Sequence, residues 1–178
     1  MIAPRIRFGG CSFIPPEGFI VQEEASLADP SASTCEDCFN ETKLSVSVTL
    51  ISTAVHPEVP DYSESPEDMN PDAYPPTLTL TTFPECCNVS PRDHLRNTGE
   101  VLKDHLEGFK TNYCKNDVVG GFPAARSQYS FQTNFRILRL NLAWIIHGML
   151  VTSTMTLTES GREKGWRDLR KFAESVRF

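Results

Sequence analysis

The chain has 178 residues, with 17 Lys plus Arg against 23 Asp plus Glu and a formal net charge of -6. Hydrophobic residues at 39% and charged residues at 22% exclude wholesale disorder and leave enough apolar material for one domain with a real core. The charge is local: residues 55–76 carry Glu58, Asp61, Glu64, Glu67, Asp68 and Asp72 with no Lys or Arg, together with six of the thirteen prolines, and the rest of the chain is balanced.

From the N-terminus, Phe13, Ile14, Phe19, Ile20 and Val21 flank Pro15, Pro16 and Gly18, which predicts a short strand, a turn and the start of a second strand. Residues 23–42 are polar and read as a loop. Leu44, Val46, Val48 and Leu50 then alternate with Ser45, Ser47 and Thr49, the period of a half-buried strand. After the acidic segment, Thr77, Thr79 and Thr81 alternate with Leu78 and Leu80. The two runs predict an antiparallel hairpin with Ile51 opposite Thr77, closed by a long acidic loop in which Tyr62, Met69 and Tyr74 are apolar anchors.

Ser90, Pro91 and Asp93 are an N-cap, a first-turn proline and a first-turn acid, so a helix begins there. Leu95, Thr98, Leu102, Leu106 and Phe109 form its stripe, and Gly99 inside it costs about 1 kcal/mol relative to Ala. Val118 to Pro123 reads as a turn into a strand whose Ala125, Ser127, Tyr129 and Phe131 share a face. Next, Leu138, Leu140, Leu142, Trp144 and Ile146 alternate with Arg139, Asn141, Ala143 and Ile145. His147-Gly148 suits a two-residue hairpin turn, and the return strand puts four threonines on one face and Val151, Met155 and Leu157 on the other. Ser160 and Glu163 have the spacing of a capping box before a last helix with Trp166, Leu169, Phe172, Ala173 and Val176 inward. The order (strands, helix, three strands, helix) predicts an α+β fold: a mainly antiparallel sheet with helices packed on it.

These motifs carry a family resemblance. Pro16-Glu17-Gly18-Phe19, Gly108-Phe109, the Gly-Gly-Phe-Pro-Ala-Ala-Arg-Ser-Gln-Tyr run at 120–129, the Gly-Met-Leu-Val-Thr run at 148–152 and Trp166-x-x-Leu169-x-x-Phe172 together resemble the PsbP-like fold group. Within it they resemble the DcrB-like bacterial family, which includes the Eag secretion chaperones. The resemblance implies a single domain over residues 1–178 with a curved sheet, and makes 23–42 and 55–76 loop insertions. It implies no enzymatic activity, a sheet face that holds apolar helices of a secreted effector or another partner protein, and a homodimeric state.

Arg139, Ala143, Ile145, Val151 and Met155 are the predicted partner surface, taken as the sheet face opposite the Leu138–Ile146 stripe. The alternative is a thiol or metal protein built on Cys35, Cys38, Cys86 and Cys87. The predicted hairpin brings 35–38 and 86–87 to one end of the sheet, where a disulfide, a four-thiolate zinc site and unpaired thiols all remain open. Glu36 and Asp37 would raise the thiol pKa, which disfavours thioredoxin-like chemistry. Cys11 and Cys114 read as small buried hydrophobes. His94 and His105 are three turns apart on one helix face and cannot share a metal, and no nucleophile elbow or phosphate-loop spacing is present.

Other classes are excluded on composition. The longest apolar run, 137–151, is broken by Arg139, Asn141 and His147 and falls short of the ~18 residues that span a bilayer. Residues 1–13 carry Arg5 and Arg7 with no apolar segment behind them, unlike a signal peptide, so the expected compartment is the cytoplasm with reduced thiols. Beyond Pro91, 14 basic residues stand against 9 acidic ones, a scattered excess that does not describe a nucleic-acid surface. No cofactor is expected in the adaptor reading.

Overall fold

A computed structural model describes residues 5–8, 10–27, 45–53, 74–83 and 89–178. The elements are β1 (Ile6–Phe8), β2 (Cys11–Phe13), β3 (Phe19–Leu27), β4 (Ser45–Ser52), β5 (Thr77–Phe83), α1 (Pro91–Lys103), β6 (Lys110–Val119), β7 (Phe122–Gln132), β8 (Arg136–Ile146), β9 (Met149–Thr158), a 3-10 turn (Glu159–Gly161) and α2 (Arg162–Ser175). Seven strands form one antiparallel sheet in the order β3-β4-β5-β9-β8-β7-β6, and β1 and β2 pair as a separate hairpin. The fold is α+β, an antiparallel sheet with helices on it, as the alternation of residues predicts.

The predicted β4–β5 register is the observed one, with Ile51 opposite Thr77 and Val46 opposite Thr82. The β8–β9 hairpin turns at His147 and Gly148, both with positive φ (51° and 78°), the backbone of a type I′ turn. That turn pairs Ile146 with Met149, Trp144 with Val151 and Leu140 with Met155. Side chains of paired residues lie on the same side of a sheet. Val48, Leu50, Leu78, Leu80, Leu138, Leu140, Leu142, Trp144, Val151, Met155 and Leu157 therefore form one dry surface, and α2 lays Leu169, Phe172 and Ala173 on it. Gly165 lets α2 approach: a Cβ there would stand 2.8 Å from Leu157 and 3.1 Å from Leu140. The β1–β2 hairpin closes the end of this core, with Phe13 against Phe172 at 5.2 Å between ring centroids and mutual backbone hydrogen bonds between Ser12 and Arg177.

α1 lies on the opposite side of the sheet, over β6, β7 and β8. Ser90 caps it as predicted, its hydroxyl accepting from the Asp93 backbone N–H at 3.1 Å. Gly99 packs closely, since a Cβ there would stand 3.3 Å from the Tyr129 ring, and the Tyr129 hydroxyl donates to the Leu95 carbonyl.

Four elements differ from expectation. Residues 23–27 continue β3 rather than opening a loop, paired with β4 through a register shift after Val21. The helix stripe ends at Lys103, so Leu106 and Phe109 lie beyond α1. β6 is a fourth strand after α1; as an edge strand it buries little and shows no alternation to read. Ser160 does not cap α2: it sits in the 3-10 turn, its hydroxyl bonded to Thr158 at 3.1 Å, and Gly161 holds the cap position without a side-chain bond. The acidic 54–73 stretch and residues 28–44 lie outside the described residues.

One buried hydroxyl breaks the apolar pattern. Ser153, fully buried, has an Oγ without a hydrogen-bond partner among the described residues and faces the dry side between Leu80 and Leu142. Ser153→Ala is expected to raise stability by about 1 kcal/mol, because an unpaired buried hydroxyl is worse than a methyl of similar size. Leu140→Ala is expected to lower it by about 2–5 kcal/mol. Chemical denaturation of both variants measures the two effects.

Candidate functional site

The face of the sheet that carries α1 is polar where α1 ends. Ser47 and Thr49 on β4, Thr77, Thr79 and Thr81 on β5, and Thr152, Thr154 and Thr156 on β9 are all half-buried. Strand pairing sets them in rows. One row runs Ser127, Asn141, Thr154, Thr79, Thr49 across five strands. Within it the Asn141 amide donates to Ser127 Oγ at 3.2 Å, Thr154 donates to Asn141 Oδ1 at 3.0 Å, and Thr49 and Thr79 hydroxyls meet at 3.3 Å. The row beside it runs Tyr129, Arg139, Thr156, Thr77, Ile51.

Arg139 is the exceptional member of this surface. Its Nε is buried and has no hydrogen-bond partner among the described residues, and no described carboxylate pairs with it. Burial holds its pKa below the usual arginine range, with the nearby Tyr129 opposing the shift. Burial likewise pushes the Tyr129 hydroxyl up to about 12. The surface thus offers one desolvated cation among hydroxyl and amide groups.

The five residues predicted as a partner surface do not share a face. Arg139, Ala143 and Ile145 lie on the α1 side, where Ala143 is fully buried with Leu95, Ala125 and Leu150, and Ile145 is half-buried beside them. Val151 and Met155 lie on the opposite side, inside the core beneath α2. The physical reason is the two-residue turn at 147–148: it pairs odd residues of β9 with even residues of β8, so Val151 belongs with Trp144 and not with Ala143. The threonine rows were the missed members of the face, and their period-2 spacing was the available signal.

Cys35, Cys38, Cys86 and Cys87 lie outside the described residues. β4 begins at Ser45 and β5 ends at Phe83 at the same end of the sheet. Cys11 is buried, and its thiol donates to the Phe8 carbonyl at 3.0 Å; Cys114 is half-buried. Burial raises the pKa of both thiols, which keeps them protonated and weak as nucleophiles. Among the described residues no three His, Cys, Asp or Glu side chains are grouped to hold a metal ion. No helix among them is long and apolar enough to cross a membrane. Tyr74, the described member of the three predicted loop anchors, sets its ring edge-on to Phe135 at 5.7 Å.

His94 lies on the buried side of α1, 6% exposed, with its ring 5.3 Å from that of Phe83. Burial lowers its pKa to about 4.

No protein-family model matches the sequence, and a comparison with curated proteins finds no match. Solved structures do match, and they define the class as the PsbP-like fold. Cyanobacterial PsbP (CyanoP) from Synechocystis sp. PCC 6803 aligns with a TM-score of 0.51 at 14% identity, over 99% of this chain and 94% of that one. The Ran-binding protein Mog1p of Saccharomyces cerevisiae gives 0.56 at 10% identity, over 99% and 95%. LpqN of Mycobacterium tuberculosis, a protein involved in cell envelope biogenesis, gives 0.54 at 16% identity, over 93% and 81%.

The depressed pKa of His94 has a definite sign. The unfolded chain takes up the proton near pH 6.5 and the folded chain only near 4, so the contribution is complete above 6.5 and is lost as pH falls towards 4. The loss is up to about 3 kcal/mol. Denaturation across that window is expected to show wild type losing more stability than His94→Leu; parallel curves would contradict it.

Proposed function

We propose that this chain is a non-enzymatic protein-binding domain, a chaperone or adaptor of the DcrB-like kind, that holds a partner on the α1 side of its sheet. The observation that carries the reading is Arg139: a half-buried arginine whose buried Nε has no hydrogen bond and which has no described carboxylate partner, on a face whose β4, β5 and β9 portion has no described helix packed on its centre. An unpaired buried charge is costly, and a partner's acidic or carbonyl group that completes its hydrogen bonds recovers that cost on binding. The hydroxyl rows supply further hydrogen bonds, and Ile145 and Phe83 supply an apolar margin that suits an apolar helix of a client protein. The Ran-binding activity of Mog1p supports partner binding as a use of this fold. The hydroxyl rows have no described histidine or carboxylate hydrogen-bonded to them that would act as a base, in keeping with a binding role. A cytoplasmic, homodimeric protein belongs to the same reading.

A photo-crosslinking residue at Thr79 in the native cell tests this. The expected result is one major adduct, reduced at least about tenfold by Arg139→Met, while a crosslinker at the exposed Lys171 on α2 gives none. Arg139→Met itself should keep or raise stability, because it removes an unpaired charge. An adduct of twice the chain mass would identify the partner as a second copy. Equal labelling from both faces would overturn the assignment.

A second reading keeps the thiols, because the β4–β5 register supports the hairpin from which a common site for Cys35, Cys38, Cys86 and Cys87 is inferred. Stoichiometric zinc, or a disulfide lost on reduction, is its expected signature in metal analysis and free-thiol counting. Six free thiols and no metal would remove it.

A further inference from the structure

On the side of the sheet that carries α2, the dry surface gives way to a polar side chain at Gln128 on β7. Gln128 pairs with Leu140 and so points to this side, next to the N-terminal end of α2. It lines an open cleft of about 480 Å³ together with Asn112, Tyr113, Arg136, Glu159 and Arg162. Gln128 is 6% exposed, and its side-chain amide has no hydrogen-bond partner among the described residues. An amide at a cleft wall that no described protein group engages is free to donate to a ligand.

The charges in the cleft say which kind. Arg136 donates one N–H to Ser130 Oγ at 3.1 Å, and Arg162 pairs with Glu159 at 3.2 Å. Each guanidinium has five donors, so both keep free N–H groups for the cleft. Two cations against one carboxylate leave a net positive site. Arg126 stands nearby, its guanidinium over the Trp166 ring at 5.8 Å and paired with Asp117 at 3.5 Å. The potential is felt at Tyr113, whose ring stacks on Trp166 at 6.3 Å: burial pushes its hydroxyl pKa up, and Arg126 and Arg162 pull it back.

We propose that this cleft is an oxyanion site, binding a small ligand through a carboxylate or phosphate held by Arg136 and Arg162 with the Gln128 amide as the neutral donor. Planar guanidinium forks match both groups, and the volume lies in the range of small-molecule sites, roughly 300–1,000 Å³. The site stands apart from the partner surface, on the other face of the sheet, so either assignment can fail without the other.

The test is an NMR titration of the full chain, labelled with nitrogen-15, with inorganic phosphate and separately with succinate, against sodium chloride at matched ionic strength. Saturable movement of the Gln128 side-chain amide peaks is expected with at least one of the two, and not with chloride. Phosphate alone would assign a phosphate-bearing ligand, and succinate alone a carboxylate. Arg136→Gln and Arg162→Gln, both at exposed positions, should each weaken binding at least about tenfold with an unchanged Tm. No saturable movement with either anion, or binding that persists in the double variant, would overturn the proposal.

Discussion

The two residues between β8 and β9 constrain the whole molecule. A one-residue slip in that hairpin would exchange the two faces of β9 and place threonines under α2. His147 and Gly148 prevent it by adopting the positive φ values of a tight turn that matches the twist of the strands. With Trp144 set opposite Val151, Met155 falls opposite Leu140, and β5 then adds Leu78 beside Met155 and Leu80 beside Ser153. β4 continues the surface with Leu50 and Val48. The core is the sum of these pairings.

The two sides of the sheet consequently meet water differently. α2 and the β1–β2 hairpin seal the apolar side, and Asp117 on β6 anchors the helix by pairing with Arg170, whose guanidinium also donates to the Val118 carbonyl. α1 packs mainly over the β6–β8 half of the opposite side and reaches Leu150 and Phe83 at its edge. There the sheet satisfies its own polar side chains through cross-strand hydroxyl and amide bonds, which lets a half-buried surface be polar without loss of stability.

Among the described residues three buried polar atoms have no hydrogen-bond partner, Ser153 Oγ, Arg139 Nε and Arg126 Nε, and their surroundings separate them. Ser153 lies in the dry core with apolar neighbours, a plain packing defect. Arg139 lies on the hydroxyl face, where another molecule can reach, and Arg126 Nε stands 3.5 Å from the Asp117 carboxylate. Local rules broken where a ligand has access are the usual mark of function, whereas the same break in a sealed core is not.

Periodicity alone determined β4, β5, β7, β8, β9 and both helices, and the composition of 147–148 determined the turn, because these depend on neighbours close in the chain. It also contained the pairing of Trp144 with Val151, since a two-residue turn at 147–148 requires it, although stripes read strand by strand group Val151 with Ala143 instead. β6 was not legible, because an edge strand with mostly exposed residues has no buried face to write a period. Tertiary structure alone decided which helix takes which face, that α1 packs mainly over β6, β7 and β8, and that Arg139 Nε meets no partner among the described residues. Those facts rest on contacts between residues far apart in sequence, and the identity of a side chain carries no record of whether a distant group arrives to satisfy it.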